Sequence, residues 1–256
     1  MILRLKRAIL FSLLGLSYGF FSYYFFGGWW NSSVGTLLII LFSYLIWDKD
    51  FLKQIGLQLD LKTIAKSIIL AGIIAICALL LMKYIAFKHN VKISYTNWRD
   101  YYHDVFYILN EEIVIGSILL FALVNKRNIR PIIASVGLAI FFALIHFVFY
   151  KWIFRDRGIL RISTLTTLFL VGFVRNSLIL QTGHIGYSWA LHFGWMIVMF
   201  GSMHIDLNTN LTITESERFN LYLGSIEMLI ISTIIAGLSL AYWIKKVQPT
   251  TQSHTR

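Results

Sequence analysis

Four ionisable side chains stand inside long apolar runs: Glu111 and Glu112 side by side, then His146, then His192. An ionised carboxylate near the middle of a bilayer costs about 2.5–3.5 kcal/mol on insertion scales, so the adjacent acids together carry roughly 5–7 kcal/mol that something must offset. A glutamate stem is too short to reach water from such a depth. Neighbours on a helix point about 100° apart, so both acids can enter one interior wedge. Taken singly, each histidine is as readily a hydrogen-bonded core residue as a functional one. Taken together, two carboxylates and two imidazoles on three helices can meet at one buried point. Such a set suits water activation, with a glutamate as general base and imidazoles to donate protons or stabilise an oxyanion. It equally suits a divalent metal with two histidines and one or two carboxylates. Spacing does not choose between them, because no His-Glu-x-x-His pair lies on one helix.

The elements that must carry these residues follow from composition. The chain has 256 residues, 57% hydrophobic, 16% aromatic and 14% charged, and its mean hydropathy is +0.70. A soluble domain is about a quarter charged, so that class is excluded. The aromatic content excludes disorder, and Cys77, the only cysteine, excludes a disulfide scaffold. A transmembrane barrel needs alternating strands of about ten residues, and these runs are too long and too evenly apolar. The expected class is all-α: a polytopic membrane protein forming a single membrane domain over residues 1–256. A spanning helix takes about twenty apolar residues. Eight segments qualify: 7–26, 30–47, 66–87, 104–124, 131–150, 159–180, 185–203 and 221–244. Pro131 opens the fifth, where its missing N–H costs nothing. Arg4, Lys6 and Arg7 precede an apolar stretch to Phe26 without a small-residue cleavage site, which reads as an uncleaved first helix.

The net charge is +11, from 23 Lys/Arg against 12 Asp/Glu. The basic residues lie between apolar runs, where they anchor helix ends at anionic headgroups, so the expected partner is the lipid bilayer and not nucleic acid. With the N-terminus inside, 13 Lys/Arg fall in inner segments and 9 in outer ones. That bias places both termini in the cytoplasm, with the chain in the cell membrane, most naturally a bacterial inner membrane. On this topology Glu111 lies about 10 Å from the outer side, and the cavity opens outward. The segment Phe51 to Lys66 alternates polar and apolar residues and is expected to lie along the inner membrane surface. From Lys88 to His103, the residues Tyr95, Trp98, Tyr101 and Tyr102 read as an interfacial aromatic belt ahead of a cover over the cavity. Glu227 is expected to be interfacial or paired, and His184, in the Gln181–His184 turn, to be solvated. Ser188, one turn before His192, can hydrogen-bond in the cavity but has no Ser–His–Asp arrangement to make it a nucleophile.

The ordered set resembles a known family. Glu111-Glu112-Ile113, then Phe142 and His146 separated by Ala-Leu-Ile, then Gln181-Thr182-Gly183 leading to His192-Phe193-Gly194-Trp195, are similar to the three signatures of the CPBP intramembrane proteases. That family includes the CAAX prenyl endopeptidases and bacterial bacteriocin-processing or immunity proteins. The resemblance covers residues 104–200. It implies an eight-helix fold with an active site sunk into the membrane, in which Glu111 activates water, Glu112 and His146 stand beside it, and His192 helps hold the oxyanion. Two positions depart from the pattern. The arginine usual four residues after the second glutamate is Gly116 here, and the asparagine or aspartate usual four residues after the third-signature histidine is Met196. The departures point to a divergent branch or to a member that has lost activity. Gly116 is expected to make room for another helix or for substrate. Arg175 could replace the missing arginine by approaching Glu112, although snorkelling toward the inner end of its own helix is the reading favoured here.

The leading expectation is an intramembrane endopeptidase hydrolysing a peptide bond in a membrane-anchored protein or peptide, with Glu111, Glu112, His146 and His192 as catalytic residues. No cofactor is expected, with zinc held by the same four side chains as the alternative. Two other functions compete: a non-catalytic immunity or regulatory protein of the same fold, favoured by Gly116 and Met196, and a proton- or ion-coupled transporter, for which buried Glu and His are ordinary. Neither inverted repeats nor helix-breaking prolines support the transporter. Substrate identity and oligomeric state are not legible in the residues.

Overall fold

The computed structural model describes residues 31–58, 60–90, 93–94, 98–148, 161–199, 206–207 and 220–247, together with residues 6, 10 and 14. The first expected helix, 7–26, lies outside these residues apart from two isolated positions. The described helices are α1 Asn31–Trp47, α2 Leu61–Lys88, α3 Trp98–Glu111, α4 Pro131–Val148, α5 Ile162–Thr182, α6 Gly186–Met199 and α7 Ile226–Val247. Beyond Glu111 the α3 rod continues as a π-helix over Glu112–Ile118, one α-turn Leu119–Phe121, and a second π stretch Ala122–Lys126. Two residues on each side, β1 Ile93–Ser94 and β2 Asp206–Leu207, form an antiparallel ribbon.

Four of the described helical stretches are long and apolar enough to cross a membrane: Leu61–Lys88, Asp104–Asn125, Ile162–Thr182 and Ile226–Lys245, with Pro131–His146 as a shorter apolar helix. The chain is an all-α polytopic membrane protein. At 1.5 Å per residue the 28-residue α2 extends about 42 Å, long enough to span a bilayer with tilt. Only 17% of its apolar window is buried, against 56% in the α3 rod and in α5. α2 and α7 therefore face lipid, while the α3 rod and α5 form the centre.

Small residues let the helices approach closely, as expected where lipid competes with packing. α6 lies on α2 at Gly194, where a Cβ would stand 2.5 Å from the Ala71 carbonyl oxygen. α5 lies on α4 at Gly172, where it would meet Ala139 Cα at 3.3 Å. Local chemistry sets the boundaries. Asp60 caps α2 by accepting from the Lys62 and Thr63 N–H groups, which starts the helix five residues before the apolar run at 66. The Thr63 hydroxyl, also donating to Asp60, holds its carboxyl below the usual carboxylate range. Gly183, at φ +69°, closes α5 with a bond to the Ile179 carbonyl, a conformation that favours glycine.

Within the 51–66 segment, the turn after Phe51–Gln54 packs inward against the helices. Ile55 is fully buried, the Gly56 carbonyl accepts from Ile185 N–H at 2.8 Å, and the Ile55 carbonyl accepts from Ser117 Oγ at 2.7 Å. His184 completes this plug. It is buried, its Nδ1 accepts from Gly186 N–H at 2.7 Å, and its Nε2–H donates to the Gln58 carbonyl at 2.7 Å. The expectation of a solvated His184 fails because both ring nitrogens find backbone partners between α2 and α6. Glu227 pairs with Lys88 at 2.9 Å, as its position suggested.

Candidate active site

Glu111 and Glu112 sit at the junction where α3 passes into the π-helix, and all seven π residues are buried. A π turn is a costly irregularity that recurs at functional sites. Here it directs Glu112, fully buried, toward α6, and leaves the Glu111 side chain 13% exposed.

On α6, Ser188 and His192 are one turn apart and share a face. Both address Glu112: Ser188 Oγ donates to Oε2 at 2.7 Å, and His192 Nδ1 lies 3.0 Å from Oε1. An ionised carboxylate only accepts, so the proton of this bond belongs to His192 Nδ1. Glu112 thus orients His192 as a carboxylate orients an imidazole in hydrolytic triads. His146, near the end of α4, is fixed similarly: its Nδ1–H donates to the Phe142 carbonyl at 2.7 Å. Glu111, Arg175 and His192 all lie within electrostatic reach of it. Phe142 is the platform between them, 4.5 Å from the His146 ring, 6.2 Å from the His192 ring, and 4.4 Å below the Arg175 guanidinium carbon.

Arg175 corrects the snorkelling expectation. It is 1% exposed and turned inward from α5, with Nη1 3.6 Å from Glu111 Oε1 and 3.6 Å from Glu112 Oε1. At an effective dielectric near 20, the two contacts are worth about 9 kcal/mol of Coulomb attraction, reduced by at least about 2 kcal/mol of repulsion between the two carboxylates. Bringing two carboxylates and one guanidinium into the bilayer costs roughly 7.5–10.5 kcal/mol on insertion scales. The net attraction offsets much of that cost, which favours an arginine turned inward over one reaching for water. Gly116 makes this packing possible: a Cβ there would stand 2.9 Å from Ile179 Cδ1, 3.3 Å from Glu112 Oε2 and 3.8 Å from Arg175 Nη2. The expectation that Gly116 makes room for a helix holds, and the helix is α5. The cation absent from position 116 is delivered from 175.

The structure therefore brings Glu112 and His192 into direct contact, puts Glu111 beside them across Arg175, and holds His146 on the Phe142 platform. Arg175 and Ser188 join this set. Ser188 was legible from its i, i+4 spacing to His192. Arg175 left only an ambiguous trace, a lone charge in an apolar helix. Among the described residues no three His, Cys, Asp or Glu side chains are arranged to hold a metal ion. Both Glu112 oxygens and the Nδ1 atoms of both histidines already have partners.

The family model described as Type II CAAX prenyl endopeptidase Rce1-like matches residues 104–198, from the α3 rod through α6. The matched residues carry the whole constellation, and over this stretch the chain is similar to that family. No curated protein and no solved structure gives a significant match.

Proposed function

We propose that the chain is a CAAX-type intramembrane endopeptidase that hydrolyses a peptide bond in a membrane-anchored protein or peptide. The observation that carries this reading is the unequal state of the two acids. Glu112 has both oxygens engaged by Ser188 and His192, whereas the described contact of Glu111 is the 3.6 Å ion pair with Arg175. Glu112 is the positioning acid and Glu111 the base. Glu111 takes a proton from a water molecule, whose oxygen attacks the scissile carbonyl carbon. The carbonyl π pair moves onto oxygen. Glu111 then returns the proton to the leaving nitrogen as the C–N bond breaks. His146 supports the proton transfer, and His192, fixed by Glu112, lines the site beside the reacting atoms. The apolar walls keep bulk water from the reacting atoms. No cofactor enters these steps. The protein resides in the cell membrane with both termini cytoplasmic, a placement supported by the excess of inner Lys/Arg.

A second reading, a non-catalytic regulatory or immunity protein of the same fold, draws support from Met196, a thioether where an amide is expected. Gly116 no longer favours it, since Arg175 supplies the cation. The test is incubation of the full chain in phospholipid vesicles with a prenylated Cys-a-a-X peptide and with a peptide carried on a transmembrane anchor, products being read by mass spectrometry. Cleavage abolished by Glu111→Gln supports the protease. Absence of cleavage of either substrate by well-folded protein refutes it and favours the non-catalytic reading.

A further inference from the structure

The donors available to an oxyanion at this site are fewer than its two histidines suggest. His192 gives its Nδ1–H to Glu112 and His146 gives its Nδ1–H to the Phe142 carbonyl, so neither ring has an Nδ1–H to spare. Met196 offers no N–H. Arg175 differs on every count. Its guanidinium is permanently charged, and among the described residues it is the only cation in contact with Glu111. Among the described residues its Nε, Nη1 and Nη2 have no hydrogen-bond partner, although the residue is 1% exposed. Leaving such donors unmet in the interior is expensive, and all three belong to a group held in place by Phe142 below it and by Gly116 beside it.

We infer that Arg175 is a catalytic residue that holds the negative charge of Glu111 before proton transfer and that of the tetrahedral oxyanion after it. The inference rests on the protease reading above. When the O–H bond of water breaks, its proton neutralises the Glu111 carboxylate, the water oxygen bonds to the carbonyl carbon, and the π pair becomes the charge on the former carbonyl oxygen. One negative charge disappears within 3.6 Å of Arg175 as another appears a few ångströms away. The guanidinium keeps a partner throughout and has little reorganisation to perform, which is the condition under which a fixed donor accelerates a reaction. It also supplies the donor that Met196 lacks.

The test uses the full chain in phosphatidylcholine vesicles, the prenylated peptide, and the same peptide with a phosphonate replacing the scissile amide as a tetrahedral anion. Arg175→Met is expected to lower kcat by about a hundredfold or more with KM changed less than about threefold. Its phosphonate affinity should fall by a similar factor. Affinity for the intact peptide, measured with Glu111→Gln present in both proteins, should stay within about threefold. Arg175→Lys, which keeps the charge and loses the fork, should fall between parent and Arg175→Met. Equal losses of phosphonate and peptide affinity, or an Arg175→Met enzyme keeping more than about a third of kcat, would overturn the inference while leaving the protease reading intact. If Arg175→Met does not fold, the same comparison of phosphonate with peptide affinity in Arg175→Lys decides: a selective loss supports the role and an equal loss overturns it. A parent protein that neither cleaves the peptide nor binds the phosphonate defeats the protease reading, and this inference with it.

Discussion

Replacing Gly116 by alanine and by leucine perturbs the packing that brings Arg175 to the carboxylates, and the two variants should differ sharply. An alanine Cβ meets Ile179 Cδ1 at 2.9 Å and Glu112 Oε2 at 3.3 Å. The first neighbour is the free end of an aliphatic side chain and can yield. Overpacking of this kind costs about 1–3 kcal/mol. The exchange also removes a helical glycine, worth about 1 kcal/mol in the other direction. Gly116→Ala should thus lose no more than about 2 kcal/mol and retain most activity. Leucine adds three further carbons with Arg175 Nη2 only 3.8 Å from its Cβ position, so Ile179 and the guanidinium cannot both stay. Displacing the guanidinium breaks a buried ion pair, a loss of about 3–5 kcal/mol, on top of the overpacking. The sum, roughly 4–8 kcal/mol, is comparable to the whole stability of an ordinary domain. Thermal unfolding in detergent micelles, followed by tryptophan fluorescence, measures the first effect, and peptide cleavage in vesicles the second. A Gly116→Leu protein as stable and as active as the parent would mean that position 116 faces open space and that Arg175 is not held there by α5.

Among the acids and imidazoles, Glu111→Gln should lower turnover by a factor of at least about a hundred, His146→Ala and His192→Ala comparably, and Glu112→Gln somewhat less. An active Glu111→Gln protein, with folding checked by thermal unfolding, would remove the base from this scheme. Ser188→Ala deletes the donor to Glu112 Oε2 at 2.7 Å and should cost about 1–3 kcal/mol of stability, with a loss of turnover that Ser188→Thr partly restores; wild-type unfolding temperature in the alanine variant would contradict it. Chelators should leave the cleavage rate unchanged, whereas loss of activity on dialysis and recovery with zinc would make the same side chains metal ligands. A reporter fused after Gln248 should be active only in the cytoplasm, and periplasmic activity would invert the topology.

The residues alone determined that this is a bundle of membrane helices, because a bilayer accepts backbone only when about twenty apolar residues fold it into a helix. They also singled out Glu111, Glu112, His146 and His192, since ionisable groups are costly in lipid and so stand out from an apolar run. The spacing of Ser188 and His192 was equally readable, a consequence of 3.6 residues per turn. These signals are local, carried by one segment at a time. Tertiary structure alone decided where Arg175 points, because turning inward and snorkelling differ only in what stands beside α5, and what stands there is a glycine 59 residues earlier in the chain. The burial of Ile55 and the clamping of His184 between backbone groups were hidden for the same reason: each depends on partners from distant segments. The different surroundings of the two adjacent glutamates were likewise invisible in their spacing, although the resemblance implied Glu111 as the base: the π turn hands Glu112 to Ser188 and His192 and leaves Glu111 beside Arg175.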